Sequence, residues 1–137
     1  MICYAVIDTN VIVSALLTKN ADSATVKVVE AVLDGRIVPL YHSKILEEYN
    51  DVLCRGKFHF TESAIQKLIA CFVQFGIEVF PQPTGEVLAD MDDLIFYEVV
   101  MAKRKDDAYL VTGNQKHFPV RPFVVTPAEM MEILEKD

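Results

Sequence analysis

The chain has 137 residues, 52% of them hydrophobic, which is enough for one domain spanning residues 1–137 with a core of its own. Thirteen Lys and Arg against twenty Asp and Glu leave a net charge of −7, which excludes a module that holds duplex nucleic acid by charge alone. No apolar run approaches the roughly 20 residues of a membrane span, and the amino terminus lacks the basic, apolar, small-residue order of a secretory signal. The expectation is a cytoplasmic protein with no membrane contact. Three widely spaced cysteines, Cys3, Cys54 and Cys71, suggest neither zinc nor a disulfide framework and read as small buried hydrophobes.

The apolar run Ile2–Ile7 has no alternation and reads as a strand buried on both faces, the kind found in parallel sheets. Asp8 then stands at the carboxyl end of that strand, where open α/β sheets bind ligands, although a residue there can equally be only a helix cap. Thr9 or Asn10 can cap the helix that begins at Val11. A second helix runs from Ala24 to Leu33 and ends at Asp34-Gly35. Ile37–Tyr41 is the next strand, and Pro39 argues that it lies at an edge or a strand end.

Ser43 is a good cap for a helix whose apolar face comprises Ile45, Leu46, Tyr49, Val52 and Leu53. That geometry separates two adjacent acids. Glu48 lies on the flank of the buried face beside Val52, and Glu47 points to solvent. Arg55-Gly-Lys-Phe-His-Phe60 is a basic and aromatic loop of a composition that can meet phosphate and stack a base, or simply turn its phenylalanines inward. Another helix starts at Thr61-Glu62, followed by a short strand around Ile77–Phe80.

Asp90-Met-Asp-Asp93 precedes an apolar helix from Leu94 to Arg104. Acids at this place also suit the positive end of the helix dipole, and periodicity does not choose between Asp92 and Asp93. Glu98 on that helix needs a partner if buried. Ala108–Thr112 repeats the layout of Ile7-Asp8-Thr9, an apolar strand with polar groups at its lip, followed by Gly113-Asn114. Phe123–Val125 is a last strand, and Thr126-Pro-Ala-Glu129 is a capping box that opens a terminal helix. Strands and helices alternate throughout, as in an α/β fold with a parallel sheet. The chain has no G-x-G-x-x-G after its first strand and no P-loop, so nucleotide folds lose their main support.

Acids at Asp8, at Glu48 and within Asp90–Asp93, with Thr112 and Asn114 at another strand lip, form a candidate constellation. Several carboxylates in one crevice repel one another unless cations sit between them. Hard oxygen donors select Mg²⁺ or Mn²⁺ over zinc, and such a site suits metal-assisted phosphodiester hydrolysis.

The ordered set Val6-Ile-Asp-Thr-Asn-Val-Ile-Val-Ser-Ala15, Ser43-Lys-Ile-Leu-Glu-Glu-Tyr49, Asp90-Met-Asp-Asp93 and Leu110-Val-Thr-Gly-Asn114 resembles the successive motifs of PIN domains. The nearest subgroup is the PIN-family toxins of toxin–antitoxin systems. The resemblance implies a three-layer α/β/α sandwich with a central, mainly parallel sheet. It also implies Mg²⁺- or Mn²⁺-dependent cleavage of single-stranded RNA, inhibition by a small antitoxin protein, and a homodimer. By position it makes Asp8, Glu48 and Asp93 the catalytic, metal-holding acids, with Asn114 as a fourth, uncharged ligand. Many relatives have Asp where this chain has Asn114, and some have Asp where it has His117. Asn10 and Thr112 would position water, and Lys116, with Arg55 or Lys57, would guide the RNA backbone. The other reading is a catalytically weakened PIN-like module that binds RNA or protein. A haloacid-dehalogenase-type phosphatase fails, because its second Asp, two residues after the first, is here Asn10.

Overall fold

The computed structural model describes residues 2–136. Five strands, β1 (Cys3–Ile7), β2 (Ile37–Tyr41), β3 (Ile77–Glu78), β4 (Tyr109–Val111) and β5 (Val124–Val125), form one sheet in the order β3-β2-β1-β4-β5. Every pairing is parallel. The helices among the described residues are α1 (Thr9–Leu17), α2 (Ala24–Leu33), α3 (Ser43–Leu53), α4 (Glu62–Phe75), α5 (Leu94–Ala102) and α6 (Pro127–Glu135). From β1 the chain winds outward through β2 to β3, then returns past β1 to β4 through α5. With right-handed crossovers, α5 must lie on the face opposite the helices of the first crossovers. It packs across β1, β2 and β4, whereas α2 packs on α1, α6 and β2. The result is an α/β/α sandwich. Its strand order reverses between β1 and β4, so the crevice of the switch point opens beyond Ile7 and Val111.

The central strands are apolar on both faces, and Ala5, Val6, Ile7, Leu110 and Val111 are wholly buried. Tyr49 of α3 packs edge-on against Phe72 of α4 and lies tilted against Phe96 of α5, which ties three helices together. Its hydroxyl donates to the carbonyl of Ile7, the last residue of β1. Among the described residues, no helix is long and apolar enough to cross a membrane.

Local details depart from expectation in instructive ways. Asp8, not Thr9 or Asn10, occupies the N-cap position of α1, and its side chain makes no capping bond. His42, not Ser43, caps α3, its Nδ1 accepting from the Lys44 amide at 3.1 Å. Pro39 lies in a strand flanked on both sides, yet β3 pairs only with Leu40 and Tyr41, so the ladder on that side begins after the proline. α5 stops at Ala102, where Lys103 leaves helical geometry at φ −118°, ψ 15°. A 3-10 turn, Arg104–Asp106, follows and closes at the left-handed Asp107, and Arg104 turns back to the carbonyl of Ala108 and over the ring of Phe123. Cys3 is buried, but Cys54 is exposed just past the end of α3 and Cys71 is half-buried. The ends of α2 and α6 follow sequence chemistry closely. Gly35, at φ +81°, lets the amides of Gly35 and Arg36 reach the carbonyls of Val32 and Ala31, and Thr126 and Glu129 form the full capping box.

Gly76 joins α4 to β3, and any Cβ there would run into the carbonyl oxygens of Phe72 and Pro39. Space, rather than a positive φ, demands glycine. Gly76→Ala should therefore destabilise the fold by roughly 1–3 kcal/mol, the usual cost of overpacking, read as a lower urea midpoint with an unchanged m-value.

Candidate active site

Asp8 and Thr112 are the first residues beyond β1 and β4, and the ladder runs on to hold both backbones. The Asp8 amide donates to Val111 and the Thr112 amide to Val125, each at 2.9 Å. Both side chains are buried, Asp8 at 6% exposure and Thr112 at 0%. The Thr112 hydroxyl donates to Asp8 Oδ2 at 2.6 Å, and its oxygen accepts the Asn114 amide at 2.9 Å. Burial pushes the Asp8 carboxyl up from its ordinary 3.8, while the Thr112 hydroxyl and the amides of Thr9 and Asn10 at the start of α1 pull it back.

Glu48 approaches from α3. It is half-buried where Glu47 is exposed, and the Thr9 hydroxyl donates to its Oε2. Burial raises its pKa, and Asp8, Asp93 and Asp92 raise it further by repulsion. Asp93 enters from a 3-10 turn, Met91–Asp93, at the start of α5. It is half-buried where Asp92 is exposed, and Asp90 caps the turn through the Asp92 amide. Burial, then repulsion by Asp8 and Asp90, lifts Asp93 to about 6, against an attraction from His117. Its Oδ2 is buried without a hydrogen-bond partner.

The three acids thus come from three separate elements and share one field. They do not yet form a chelate. Among the described residues, no three acidic, histidine or cysteine side chains stand close enough to hold a single ion as they are placed. Mutual repulsion explains this: Asp8 and Glu48 each turn to a threonine hydroxyl instead of to each other. The donor chemistry still fits a hard divalent cation, since the orphaned Asp93 Oδ2 and three carboxylates with raised pKa values are what a cation would satisfy.

The other residues singled out in the sequence are placed unevenly. Asn10 Oδ1 accepts the Gly113 amide at 3.4 Å, linking α1 to the β4 lip. Asn114 is exposed and touches the site through its backbone amide. Lys116 is exposed on a second 3-10 turn, Gln115–His117. Arg55 and Lys57 lie on the loop after α3, where Phe58 and Phe60 stack on each other at 5.5 Å and Lys57 covers Phe58. Glu98 finds its partner in Thr84, which donates to it through both its amide and its hydroxyl.

Two residues stand closer to the acids than sequence reasoning placed them. The sequence offers Thr9 only as a cap, yet in the fold it holds Glu48. In the sequence His117 stands out only as a departure from an acid, yet its Nδ1 lies 3.4 Å from Asp93 Oδ2. The signal for Thr9 was its adjacency to Asp8 on a buried turn. For His117 it was the short reach from the β4 lip.

A PIN-domain family model matches residues 4–116, from the second residue of β1 through the loop beyond β4. An uncharacterized protein of Methanocaldococcus jannaschii is similar along almost the whole length, 27% identical over 147 positions that take in 96% of this chain and 91% of the relative. The span of the family match contains all three acids, the threonines that hold two of them, and every strand but the last. The chain belongs to the PIN-domain family.

Proposed function

We propose that the protein is an endoribonuclease that hydrolyses single-stranded RNA with Mg²⁺ or Mn²⁺ and acts as the toxin of a toxin–antitoxin pair. PIN domains are generally metal-dependent nucleases, which supports a nuclease-type function. The observation that carries the reading for this chain is the meeting of Asp8, Glu48 and Asp93 in one field at the switch point of the sheet, with one carboxylate oxygen left unsatisfied. When bound, the cation would activate water and steady charge on the attacking and leaving oxygens. Asp8, Glu48 and Asp93 would hold it. Thr112 and Thr9 orient the carboxylates of Asp8 and Glu48, and Asn10 ties the start of α1 to the lip of β4. Hydrolysis adds the oxygen of water to phosphorus and releases the 3′-oxygen, with Lys116 available to the RNA backbone. An acidic chain needs the cation as much for binding RNA as for cleaving it. A small antitoxin as partner, a homodimer and a cytoplasmic location belong to the same proposal and follow from the motif resemblance. A neighbouring gene for a small, partly disordered protein would support the toxin role.

A weakened, binding-only domain is the second reading, favoured by the uncharged Asn114 and by carboxylates that are not pre-arranged as a chelate. Titration of the metal-free protein with Mn²⁺ separates the two, because a binding-only domain need not take up metal.

Asp8→Asn should abolish Mn²⁺-dependent cleavage of single-stranded RNA while its circular dichroism stays that of the folded protein; undiminished cleavage would remove Asp8 from the mechanism. Thr112→Val, which removes only the hydroxyl that orients Asp8, should cost roughly 10–100-fold in metal affinity or turnover. The acids also predict a pH dependence. A carboxyl raised in the folded state destabilises that state when ionised, a penalty absent below the unfolded pKa and complete above the folded one. For Asp93 that window runs from 3.8 to about 6. In the metal-free protein Asp93→Asn should therefore raise Tm at pH 7, with the gain fading as pH falls through that window. Mn²⁺ at 100 times its Kd should stabilise the unsubstituted protein by about 2.7 kcal/mol and so close most of the gap between the two.

A further inference from the structure

We infer that His117 is itself a ligand of the cation, its Nδ1 and Asp93 Oδ2 gripping one ion in a carboxylate–imidazole set that favours Mn²⁺ over Mg²⁺. The inference rests on the metal-site reading above and adds to it the donor that replaces a fourth acid. Three observations carry it.

The first is distance. His117 Nδ1 and Asp93 Oδ2 are 3.4 Å apart, yet Asp93 Oδ2 has no hydrogen-bond partner, so the two are neighbours without being bonded. Two donors that each sit about 2.1 Å from one cation stand about 3.0–3.4 Å apart at octahedral to tetrahedral angles. The pair already has the spacing of two ligands on a shared ion.

The second is anchoring. The turn that carries His117 is closed by its own bonds, from the His117 amide to Asn114 at 3.0 Å and from the Phe118 amide to Gln115 at 3.1 Å, and Phe118 just past it is buried. Gln115 Nε2 reaches the Val124 carbonyl at 3.0 Å, so the turn is tied to β5 as well. The imidazole is delivered on a fixed backbone rather than on a loose loop.

The third is the contrast with Asn114. Asn114 meets the site through its backbone amide, whereas His117 turns its Nδ1 directly to Asp93. An imidazole also changes the choice of metal. Mg²⁺ keeps to oxygen donors and gives up water reluctantly, whereas Mn²⁺ lies on the transition-metal series that accepts imidazole nitrogen.

The test uses the full chain stripped of metal, with Mn²⁺ alone as the probe. Pulsed electron paramagnetic resonance of the Mn²⁺-loaded protein should show imidazole-type ¹⁴N modulation that is absent in His117→Asn. Titration calorimetry should show Mn²⁺ affinity falling roughly tenfold or more in that variant, with Mg²⁺ affinity changing by a smaller factor. His117→Asp should shift the preference toward Mg²⁺. His117 is 51% exposed, so both variants should fold, and a metal-free melt checks this. Mn²⁺ binding that is lost in Asp8→Asn but shows no ¹⁴N modulation, or keeps it in His117→Asn, would overturn the ligand role of His117 and leave the nuclease reading standing. An unsubstituted protein that takes up no Mn²⁺ would overturn both.

Discussion

Negative charge brought out of water without a counter-charge is the constraint on which this structure turns. Asp8 is buried at the lip of β1, close enough to Glu48 and Asp93 to raise the pKa of both, and Asp93 adds to the rise at Glu48. A fold optimised for stability alone would not place them so. The chain compensates in part with two threonine hydroxyls, the free amides at the start of α1 and one imidazole. One carboxylate oxygen, Asp93 Oδ2, remains without a hydrogen-bond partner. The rest of the molecule supplies the rigidity that keeps such an arrangement from relaxing, through a doubly covered parallel sheet and an aromatic cluster around Tyr49.

The topology explains why the acids meet although they are far apart in the chain. Outward winding from β1 to β3, then a return to β4, leaves one crevice where neighbouring strands send their following segments to opposite sides. Asp8 and Thr112 open onto that crevice because each is the residue directly after its strand. Glu48 reaches it from α3, and Asp93 from the turn at the start of α5, which packs against α3. Placement by backbone ladders and helix packing is more exact than placement by loops.

Much of this was legible in the residues. Unbroken apolar runs marked the central strands, and the period of α3 separated Glu48 from Glu47, because burial of one helix face is a one-dimensional pattern. The capping box of α6 was readable because all of its partners lie within four residues. Asp93 could not be told from Asp92 by period, since α5 is apolar nearly all round; the 3-10 turn before the helix decides which one faces inward. The cap at His42 and the tolerance of Pro39 depend on what lies next to them in space, namely the exact helix start and a partner strand that begins one residue late. Thr9 and His117 escaped for the same reason. Each acts on an acid contributed by a distant segment, and only the fold sets that distance.

The bond from Tyr49 to the last carbonyl of β1 has a consequence beyond holding α3 in place. Tyr49 is the immediate neighbour of Glu48, so the hydroxyl that pins the helix also sets the span between Glu48 and the acid that follows Ile7 along the chain. Alignment of the candidate site is thus written into the hydrophobic interior. Drift in the sequence of that interior would be felt in the spacing of those two acids before it was felt as lost folding.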